Sequence, residues 1–491
     1  MKQLSEILQN VTYSNTVNFN DFAINGVYYD SREVTPNSIF VAIKGEKVSG
    51  DTFIAMAIER GATVIVTEQS VHVLDSVVVV LVEDARKALA EISNAFYDFP
   101  SKKLTLIGVT GTNGKTTCSF LLKELLTFAG KNVGVIGTTG IYFADQVITA
   151  THTTPESSKI CALLVEMMEY GIDTVIMEVS SHSLILNRVY GLHFSAVMFT
   201  NLTQDHLDFH KTMFNYAIAK KMLFDMVGEN SIAVLFSADE WSSFMIQDCN
   251  ASTKVLVGRE GKNSTNVLTS LISNETSSLE GISFEIRYLN QTTSINSTSL
   301  VGKFNSENLS ISLIVATILT NIPMQFFASA CKNITAAPGR MESILLHKGV
   351  RAFVDYAHTP DALEKVLFTA KQNLSNGKLI VVFGCGGNRD TSKRPQMGAI
   401  ASSIADKVII TNDNPREEEP IAIIQDILAG IPSDNNNHTI IENRAEAIKY
   451  AVEQSEKGDC IVIAGKGHEN YQIVGTTKTY FSDQEELLKY Q

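Results

Sequence analysis

The sequence predicts an α/β protein of three domains, and three observations lead to that prediction. Short apolar segments alternate with helical patterns along most of the 491 residues, as in a parallel sheet with helices on both faces. A glycine-rich turn at residues 111–117 separates an apolar strand from a helix. A second strand–helix series follows a break at residues 336–340. The length of 491 residues also fits three domains, since one domain takes about 150 residues.

The same breaks set the predicted domain boundaries. Residues 1–102 form a small α/β domain of short strands and two helices. Residues 103–336 form a central domain with a P-loop-type, doubly wound sheet, and its stretch 260–300, rich in Asn, Ser and Thr, holds polar strands and loops. Residues 337–491 form a C-terminal domain with a Rossmann-like sheet. The strands of this last domain are predicted at 379–383, 407–410, 439–442 and 460–464.

Composition narrows the functional class. The formal net charge is −13, from 40 Lys and Arg against 53 Asp and Glu, so we expect no nucleic-acid partner. We also expect neither a signal peptide nor a membrane span, because the longest apolar runs are short. The six cysteines lack C-x-x-C spacing, which favours reduced buried thiols in a cytosol over zinc sites or disulfides. A monomer is expected.

The turn after the first central strand is typical of a nucleotide phosphate site. In such turns backbone N–H groups approach the phosphate oxygens, a lysine reaches the terminal phosphates and a threonine hydroxyl ligates Mg²⁺. The usual pattern would place its first glycine at position 109, but this chain has Val109 there and carries Gly108 instead. The predicted nucleoside triphosphate ligands are Gly111, Thr112, Asn113, Gly114, Lys115, Thr116 and Thr117.

Two polar segments follow buried strands, at the edge where ligands of open α/β sheets gather. Glu178 ends one strand and is a candidate Mg²⁺ ligand, although a glutamate in a capping role or a salt bridge would fit the same sequence pattern. The second segment holds Asp205, His206, Asp208 and His210. That density suits metal binding or the positioning of an anionic intermediate, with a solvated polar loop as the alternative.

Three further candidates rest on weaker patterns. Lys220 lies in an amphipathic helical stretch and by itself is most simply a surface lysine. Asp355 ends a strand and is a candidate contact for nucleotide or metal. The turn 465–469, with its Lys, His and Glu, either contacts phosphate or substrate or is an ordinary connection after a strand.

Two arginines, Arg389 and Arg416, follow strands of the last predicted sheet. Because guanidinium pairs with carboxylate through two parallel hydrogen bonds, both are candidates for a substrate carboxylate. The segment 413–419 also fits a helix start, with Asp or Asn as cap and three glutamates in the first turn. The glycines of 384–387 would alternatively suit a dinucleotide-binding oxidoreductase, but they lack G-x-G-x-x-G spacing.

Taken together, these segments resemble the Mur ligases, ATP-dependent enzymes that add amino acids to the peptidoglycan precursor. The resemblance covers nearly the whole chain. It rests on the segments 30–32, 110–117, 153–156, 177–182, 200–210, 219–220, 339–342, 355–360, 384–395, 413–416 and 465–469. Folylpolyglutamate synthase shares the phosphate loop and the chemistry and is the alternative, but it should lack the Asp-Ser-Arg segment at 30–32 and the loop at 413–416.

The resemblance implies a bacterial cytoplasmic ligase with Mg²⁺ as cofactor and ATP as co-substrate. ATP would phosphorylate the γ-carboxylate of the D-glutamate in UDP-N-acetylmuramoyl-L-alanyl-D-glutamate. The amine of the incoming amino acid would then attack the acyl phosphate. Phosphorylation supplies the leaving group that a carboxylate lacks, and Mg²⁺ offsets the repulsion between carboxylate and triphosphate.

The resemblance also assigns site residues. The catalytic set is Lys115, Glu178, His206 and Lys220, and the last matches a lysine that family members carboxylate. Thr117, Glu178, His206 and the carbamate of Lys220 would surround the metal ions. The other nucleotide contacts would be Asn305, Arg340 and Asp355. The UDP-linked substrate would be held by Ser31, Thr153, Thr154, Ser180 and Arg188.

The segment Asp413, Asn414, Pro415, Arg416 resembles the DNPR motif of the family members that add meso-diaminopimelate. With Arg389, Arg416 would hold the distal carboxylate, while Gly465 and Glu469 would contact the distal amino-acid centre. L-Lysine lacks that carboxylate and would leave a buried guanidinium unpaired, at a cost on the order of several kcal/mol. The resemblance therefore predicts meso-diaminopimelate as the incoming amino acid, with L-lysine as the alternative.

Overall fold

The computed structural model describes residues 2–45, 48–260 and 267–491. Contacts divide the chain into two compact units, the first mainly the chain up to Val257 and the second mainly the chain from Ser270 onward. The predicted α/β class is confirmed, because parallel sheets flanked by helices occur in both units. In the part of the chain just given, no helix has the length and apolarity needed to cross a membrane.

The first unit begins with a five-stranded sheet in the order β2-β7-β6-β5-β4, parallel except for β2. Its inner strands are almost wholly apolar, as expected for strands buried on both faces. Asp84 caps the last helix by accepting hydrogen bonds from two backbone N–H groups. The elements are β1 Lys2–Gln3, α1 Leu4–Leu8, β2 Asn15–Val17, β3 Ala23–Ile24, β4 Gly26–Tyr28, β5 Ser38–Val41, α2 Ile54–Glu59, β6 Ala62–Thr67, β7 Val78–Leu81 and α3 Ala85–Phe96.

The rest of the first unit is a second sheet in the order β11-β10-β9-β12-β8-β13-β14-β15. The six strands from β9 to β15 run parallel, and β10 and β11 add an antiparallel edge. Its elements are β8 Thr105–Thr110, α4 Lys115–Phe128, β9 Val133–Gly137, β10 Gly140–Phe143, β11 Gln146–Ile148, α5 Ser157–Glu169, β12 Thr174–Glu178, α6 Ser181–Ile185, β13 Ala196–Phe199, α7 Leu207–His210, α8 Met213–Asp225, β14 Ile232–Phe236, α9 Ser242–Ile246 and β15 Thr253–Gly258.

Gly108 has a packing role in this sheet. A Cβ at that position would lie 3.0 Å from the Phe194 ring and 3.1 Å from Leu223 Cδ1. A side chain there would require these neighbours to shift by a few tenths of an ångström in a densely packed core. The glycine one residue before the usual phosphate-loop position therefore lets β8 fit under its neighbours.

The second unit opens with antiparallel strands and two helices. The prediction of polar strands at 260–300 is confirmed for its described part, whereas residues 261–266 lie outside the described residues. The strands alternate exposed and buried residues with period two, because one face is covered. The elements are β16 Leu268–Ser278, β17 Gly281–Tyr288, β18 Gln291–Ser297, α10 Lys303–Thr320 and α11 Met324–Cys331.

The second unit ends in a six-stranded sheet in the order β19-β20-β24-β21-β22-β23, parallel except for β19. All four strands predicted for this region are present. The elements are β19 Glu342–Leu346, β20 Val350–Asp355, α12 Pro360–Asn373, β21 Leu379–Phe383, α13 Lys393–Ile404, β22 Lys407–Ile410, α14 Pro420–Leu428, β23 His438–Ile440, α15 Arg444–Glu453, β24 Cys460–Ala464, β25 Tyr471–Val474, β26 Thr477–Tyr480 and α16 Asp483–Leu488.

The helix start expected within 413–419 is wrong. Helix α14 begins at Pro420, its cap position is Glu419, and no acidic residue lies in its first turn. Glu418 instead pairs with the buried Arg394 at 2.8 Å. The segment 413–416 is consequently a loop at the carboxyl edge of the sheet.

The glycines at 384–387 make room for that loop. A Cβ on Gly384 would overlap with the backbone of Thr411, and a Cβ on Gly387 would overlap with the carbonyl of Pro415. Close approach of two backbones requires glycine. This packing explains the glycines without a dinucleotide.

Candidate active site

The glycine-rich turn between β8 and α4 has a backbone that only glycine adopts easily. Gly111 has φ = 147° and Gly114 has φ = 85°. A Cβ on Gly111 would overlap with the Thr200 hydroxyl. The turn therefore brings its backbone against the loop that follows β13.

That neighbouring loop holds the turn in shape. Thr200 Oγ1 donates to the Asn113 carbonyl at 2.6 Å. The Thr112 N–H donates to the Asn201 carbonyl at 2.8 Å, and the Asn113 N–H donates to the Asn201 side chain at 3.1 Å. The Lys115 ammonium lies over the turn and donates to the carbonyls of Gly111 and Thr112 at 2.9 Å each. The turn thus has the shape that is typical of a phosphate cradle.

Lys220 is not on the surface, so the simplest interpretation of its sequence context is wrong. It is 1% exposed on the buried face of α8, and its ammonium donates to the Gly111 carbonyl at 2.7 Å. The ammonium also lies 4.6 Å from the centre of the Tyr216 ring. Burial, with the positive charge of Lys115 nearby, holds the pKa of Lys220 well below its usual value.

Glu178 ends β12, directly beside the strand that leads into the phosphate turn. Its register partner is Val109, and the following N–H, of Val179, donates to the Val109 carbonyl at 2.8 Å. The carboxylate is fully buried. Both of its oxygens accept hydrogen bonds from Thr138, from the N–H and the hydroxyl, at 3.0 Å each. The carboxylate is therefore fixed next to the turn.

Four of the five residues predicted to hold the UDP-linked substrate line one cavity of about 430 Å³. The Thr154 hydroxyl donates to the Glu178 carbonyl at 2.8 Å, and the Ser180 N–H donates to that hydroxyl at 3.1 Å. The side chains around the cavity are mostly hydroxyls and histidines. The lining is Thr138, Ala150, Thr151, His152, Thr153, Thr154, Ser180, His182, Leu186, Arg188 and His206.

An ion-pair network fixes one wall of this cavity. Glu156 is 7% exposed and pairs with Arg188 at 2.9 Å and with Arg86 of α3 at 3.1 Å. Arg188 also donates to the Thr154 carbonyl at 3.0 Å. The network joins the N-terminal sheet region to the second sheet of the same unit. A wider cavity of about 960 Å³ shares Arg188 with this one and is also lined by Arg86.

Ser31, the fifth residue of that set, does not line either cavity. It is buried in the N-terminal region, and its hydroxyl faces Met56 Sδ at 3.4 Å.

The acidic and histidine-rich segment after β13 is not a ligand group by itself. Within residues 2–45, 48–260 and 267–491, no three His, Cys, Asp or Glu side chains converge as a metal site. His206 is exposed and lies 3.4 Å from Asp205, whereas His210 is buried and contacts the Ser181 hydroxyl at 2.8 Å. Burial, with His182 nearby, lowers the pKa of His210 to about 4. The two histidines therefore have different environments.

The other predicted nucleotide contacts lie in the second unit. Asp355 is buried, and its carboxylate accepts hydrogen bonds from the N–H groups of Met341 and Ala357 at 2.7 and 2.8 Å. Burial raises its pKa. Asp355 thus shapes the turn that carries Arg340, whose guanidinium lies 5.4 Å from the Tyr356 ring centre.

Asn305 is buried near the start of α10. Its side chain donates to the Val301 carbonyl at 2.9 Å and accepts from Asn308 at 3.3 Å.

The loop at 413–416 presents Arg416 at the edge of the last sheet. Arg416 adopts φ = 53°, and its guanidinium donates to the Gly387 carbonyl at 2.8 Å. Its backbone is tied to β25, because its N–H donates to the Ile473 carbonyl at 3.1 Å. Arg389 is exposed on the neighbouring loop after β21. The two arginines thus follow adjacent parallel strands.

Next to Arg416, the buried Asp413 and Asn414 form a polar cluster with the half-buried Glu469 and with Lys466. Asn414 donates to Glu469 Oε2 at 3.1 Å and accepts from Lys466 at 3.0 Å. Asp413 lies 3.6 Å from the Lys466 ammonium. Gly465 has φ = 118°, and a Cβ there would contact the Asp413 carboxylate at 2.6 Å. Burial and the charge of Asp413 raise the pKa of Glu469.

Several residues that shape these sites were not predicted. Thr138 holds Glu178, Tyr216 lies against Lys220, and Glu156 pairs two arginines. Glu156 lies in the Thr-Thr-Pro-Glu segment and Lys466 in the 465–469 turn, so both stood within recognised motifs. Thr138 and Tyr216 carried no signal, because their roles depend on contacts between distant parts of the chain.

A parallel sheet with a glycine-rich turn between its strand and the next helix is the arrangement typical of nucleotide-binding α/β proteins. Three family models match the chain: the Mur ligase family catalytic domain at residues 23–97, the Mur ligase middle domain at 109–316 and the glutamate ligase domain of Mur ligases at 339–467. The chain belongs to the Mur ligase family, and members of this family are ATP-dependent ligases.

Individual relatives agree with the family match. The chain is 43% identical over 467 residues to the UDP-N-acetylmuramoyl-L-alanyl-D-glutamate–2,6-diaminopimelate ligase of Caldanaerobacter subterraneus subsp. tengcongensis, covering 95% of this chain and 94% of that one. It is 41% identical to the Clostridium tetani ligase of the same name, covering 99% and 98%. A solved structure of a ligase with this name matches with a TM-score of 0.70 and 33% identity, over 95% of this chain and 94% of that one.

Proposed function

We propose that this chain joins meso-diaminopimelate to UDP-N-acetylmuramoyl-L-alanyl-D-glutamate with hydrolysis of ATP to ADP and phosphate. The observation that carries the proposal is its near full-length identity of 41–43% to ligases named for this reaction. Two structural features support the proposal: a glycine-rich turn with Lys115 beside it in the first unit, and a loop that presents Arg416 in the second. The product would be the next precursor of the peptidoglycan peptide.

The reaction needs activation of a poor electrophile. The γ-phosphoryl group of ATP passes to an oxygen of the D-glutamate side-chain carboxylate, and ADP leaves. The amine of diaminopimelate attacks the acyl carbon, a tetrahedral intermediate forms, and inorganic phosphate leaves as the amide forms. Phosphoryl transfer of this kind depends mainly on positioning and on electrostatic stabilisation, which a rigid turn supplies.

The phosphate turn would bind ATP through its backbone N–H groups and Lys115. In the protein alone the Lys115 ammonium donates to carbonyls of the turn, so it already lies at the cradle. We assign Gly111, Thr112, Asn113, Gly114, Thr116 and Thr117 to the same nucleotide. Asn305, Arg340 and Asp355 complete the proposed nucleotide set.

The residues at the turn fit Mg²⁺, which prefers hard oxygen ligands. Glu178 supplies a buried carboxylate at the adjacent strand end, and Thr117 supplies a hydroxyl at the start of α4. His206 and a carbamate on Lys220 would complete the proposed set. Bound Mg²⁺ would offset the repulsion between the triphosphate and the attacking carboxylate.

Two properties of Lys220 suit it to carbamate formation. Its lowered pKa favours the neutral amine, which is the form that reacts with CO₂. Its buried position also excludes bulk water from the product. A carbamate would place an anion next to the Lys115 ammonium, where opposite charges attract, whereas a protonated Lys220 would be repelled.

The cavity lined by Thr153, Thr154, Ser180 and Arg188 would hold the muramoyl-dipeptide. Arg188 is the natural partner for a carboxylate of the substrate because it is fixed by Glu156. Ser31 would contact the uridine part. In this proposal residues 1–102, 103–336 and 337–491 act as separate domains for UDP, ATP and the amino acid.

The loop Asp413, Asn414, Pro415, Arg416 would select the amino acid, with Arg389 as second arginine and with Gly465 and Glu469 at the distal centre. We also propose that the enzyme acts as a monomer in the bacterial cytoplasm. The cytoplasm is supported by the nature of its substrates, ATP and a nucleotide-linked precursor.

The test is a reaction with defined substrates. Purified protein, ATP, Mg²⁺, the UDP-dipeptide and meso-diaminopimelate should release phosphate and yield a product heavier by one diaminopimelate residue. Omission of either substrate should stop phosphate release. Phosphate release with folate and glutamate, and none with the UDP-dipeptide, would replace the proposal with folylpolyglutamate synthesis.

A further inference from the structure

Lys466 is a buried charge that the roles above leave unused. It lies between Gly465 and Gly467, which have φ values of 118° and 53°, in the turn that follows β24. Its side chain is 0% exposed. A lysine is almost never buried completely without partners, because its ammonium loses strong hydration. Its partners therefore indicate what it does.

The ammonium has three partners, which matches its three N–H groups. It donates to Asn414 Oδ1 at 3.0 Å and to the Tyr471 carbonyl at 2.8 Å. It lies 3.6 Å from Asp413 Oδ1. Lys466 therefore connects the loop at 413–416 to the start of β25.

The contact with Asn414 sets the direction of that amide. Because an ammonium only donates, it requires the amide oxygen on its side, and the Ile473 N–H donates to the same oxygen at 3.0 Å. The amide NH₂ must then point the other way, where it donates to Glu469 Oε2 at 3.1 Å. The position of Glu469 thus depends on Lys466 through Asn414.

The contact with Tyr471 fixes a second part of the site. Tyr471 begins β25, and the next residues of that strand pair with the Arg416 segment. The Arg416 N–H donates to the Ile473 carbonyl at 3.1 Å, and the Gly475 N–H donates to the Arg416 carbonyl at 2.7 Å. The backbone that carries Arg416 therefore rests on a strand anchored by Lys466.

We propose that Lys466 is a positioning residue for the incoming amino acid, acting through Asn414 on Glu469 and through β25 on Arg416. This inference deepens the proposed function and rests on it. Lys466 orients the carboxylate that would receive the distal ammonium of diaminopimelate and supports the arginine that would receive its distal carboxylate.

The charges around Glu469 agree with this role. Burial and Asp413 raise the pKa of Glu469, and Lys466 opposes that rise. Loss of the ammonium would leave two carboxylates close together and raise the pKa of Glu469 further. The anionic form that attracts an ammonium would then be lost at a higher pH. The other groups facing Lys466 or Glu469 are Arg444, Asp483, Tyr356 and Tyr471.

The first test is Lys466→Met, which removes the charge and keeps most of the length. We expect the KM for meso-diaminopimelate to rise about tenfold or more, with the KM values for ATP and the UDP-dipeptide within about twofold. The acid limb of kcat/KM for meso-diaminopimelate should move to higher pH. Lys466→Arg keeps the positive charge and should keep the acid limb at the wild-type pH. Lys449→Met, at a lysine exposed on α15, is the matched control.

A double variant keeps the inference falsifiable if stability changes. Since Lys466 acts through Glu469, adding Lys466→Met to Glu469→Gln should raise the KM for meso-diaminopimelate by less than it does in the wild type. Fully additive effects, an unchanged KM in Lys466→Met, or equal rises in all three KM values would each overturn the inference. Wild-type enzyme that does not use meso-diaminopimelate would instead overturn the proposed function.

Discussion

Two lysine ammonium groups, Lys115 and Lys220, donate to the same carbonyl, that of Gly111. Two ammonium groups that share one hydrogen-bond acceptor repel each other, and the repulsion is stronger where water is excluded. The two lysines therefore favour a negatively charged group beside them, which ATP or a carbamate would supply. The low pKa of Lys220 is a consequence of its burial and of the nearby Lys115 charge.

Replacement of Lys220 tests its assignment. Lys220→Ala should nearly abolish phosphate release, because the proposed carbamate ligand is lost, and added short carboxylates should restore part of the activity. Lys221→Ala is the control. Lys221 pairs with Asp225 on the same helix, so its loss should change phosphate release little. Full activity of Lys220→Ala would reject the carbamate role.

His210 gives a prediction for stability against pH. Its pKa is lowered to about 4, so the unfolded chain, with an ordinary histidine pKa near 6.5, binds the proton more readily. The neutral form therefore stabilises the fold above pH about 6.5, and this stabilisation is lost as the pH falls toward about 4.

Urea unfolding at several pH values measures that loss. The free energy of unfolding of the wild type should fall between pH about 6.5 and about 4, and His210→Gln should flatten this part of the profile. His193→Gln, at an exposed histidine, should leave the slope unchanged. Identical slopes for wild type and His210→Gln would show that His210 does not titrate as described.

Among the connecting elements, the phosphate turn makes the strictest demand on sequence. Its backbone approaches the loop after β13 so closely that the Thr200 hydroxyl occupies the space of a side chain at position 111. Gly111→Ala should therefore distort the turn and weaken ATP binding by about tenfold or more. Gly228→Ala is the control, because nothing lies within 4 Å of a Cβ there. Calorimetric titration with ATP gives both affinities, and equal values would contradict the account.

The loop at 413–416 is the element that should select the amino acid. Arg416→Lys keeps the charge but loses the planar fork, so the preference for meso-diaminopimelate over L-lysine should fall by about tenfold or more. The ratio of the two kcat/KM values measures this preference. Arg287→Ala, at an exposed arginine of β17, should leave the ratio unchanged. A preference that survives Arg416→Lys would assign selection to other residues.

Across the protein, the regular elements were predictable and the burial of charged side chains was not. The strands at 379–383 and 460–464 were predicted at their observed bounds, because apolar runs and turns are local signals. The burial of Lys220 arises from a contact with Gly111, 109 residues away in sequence. A contact between residues so far apart in sequence cannot be predicted from a local sequence pattern.

The same contrast holds for the amino-acid loop. The residue types at 413–419 fit a helix start, but in the folded protein their side chains make tertiary contacts instead. Glu418 pairs with Arg394, and Asn414 donates to Glu469. The resemblance to the Mur ligases assigned this loop to the amino acid, because family motifs record tertiary contacts that composition and periodicity do not, and that assignment stays a prediction. Neither local sequence patterns nor the family resemblance predicted the role of Lys466, since its partners are visible only in the folded chain.

The most direct test of the central claim compares meso-diaminopimelate with L-lysine as the incoming amino acid. Phosphate release is measured with saturating ATP, Mg²⁺ and the UDP-dipeptide, and kcat/KM is obtained for each amino acid. We predict a preference for meso-diaminopimelate of about a hundredfold or more, because L-lysine leaves the guanidinium of Arg416 without its carboxylate partner. Equal or better turnover with L-lysine would contradict it.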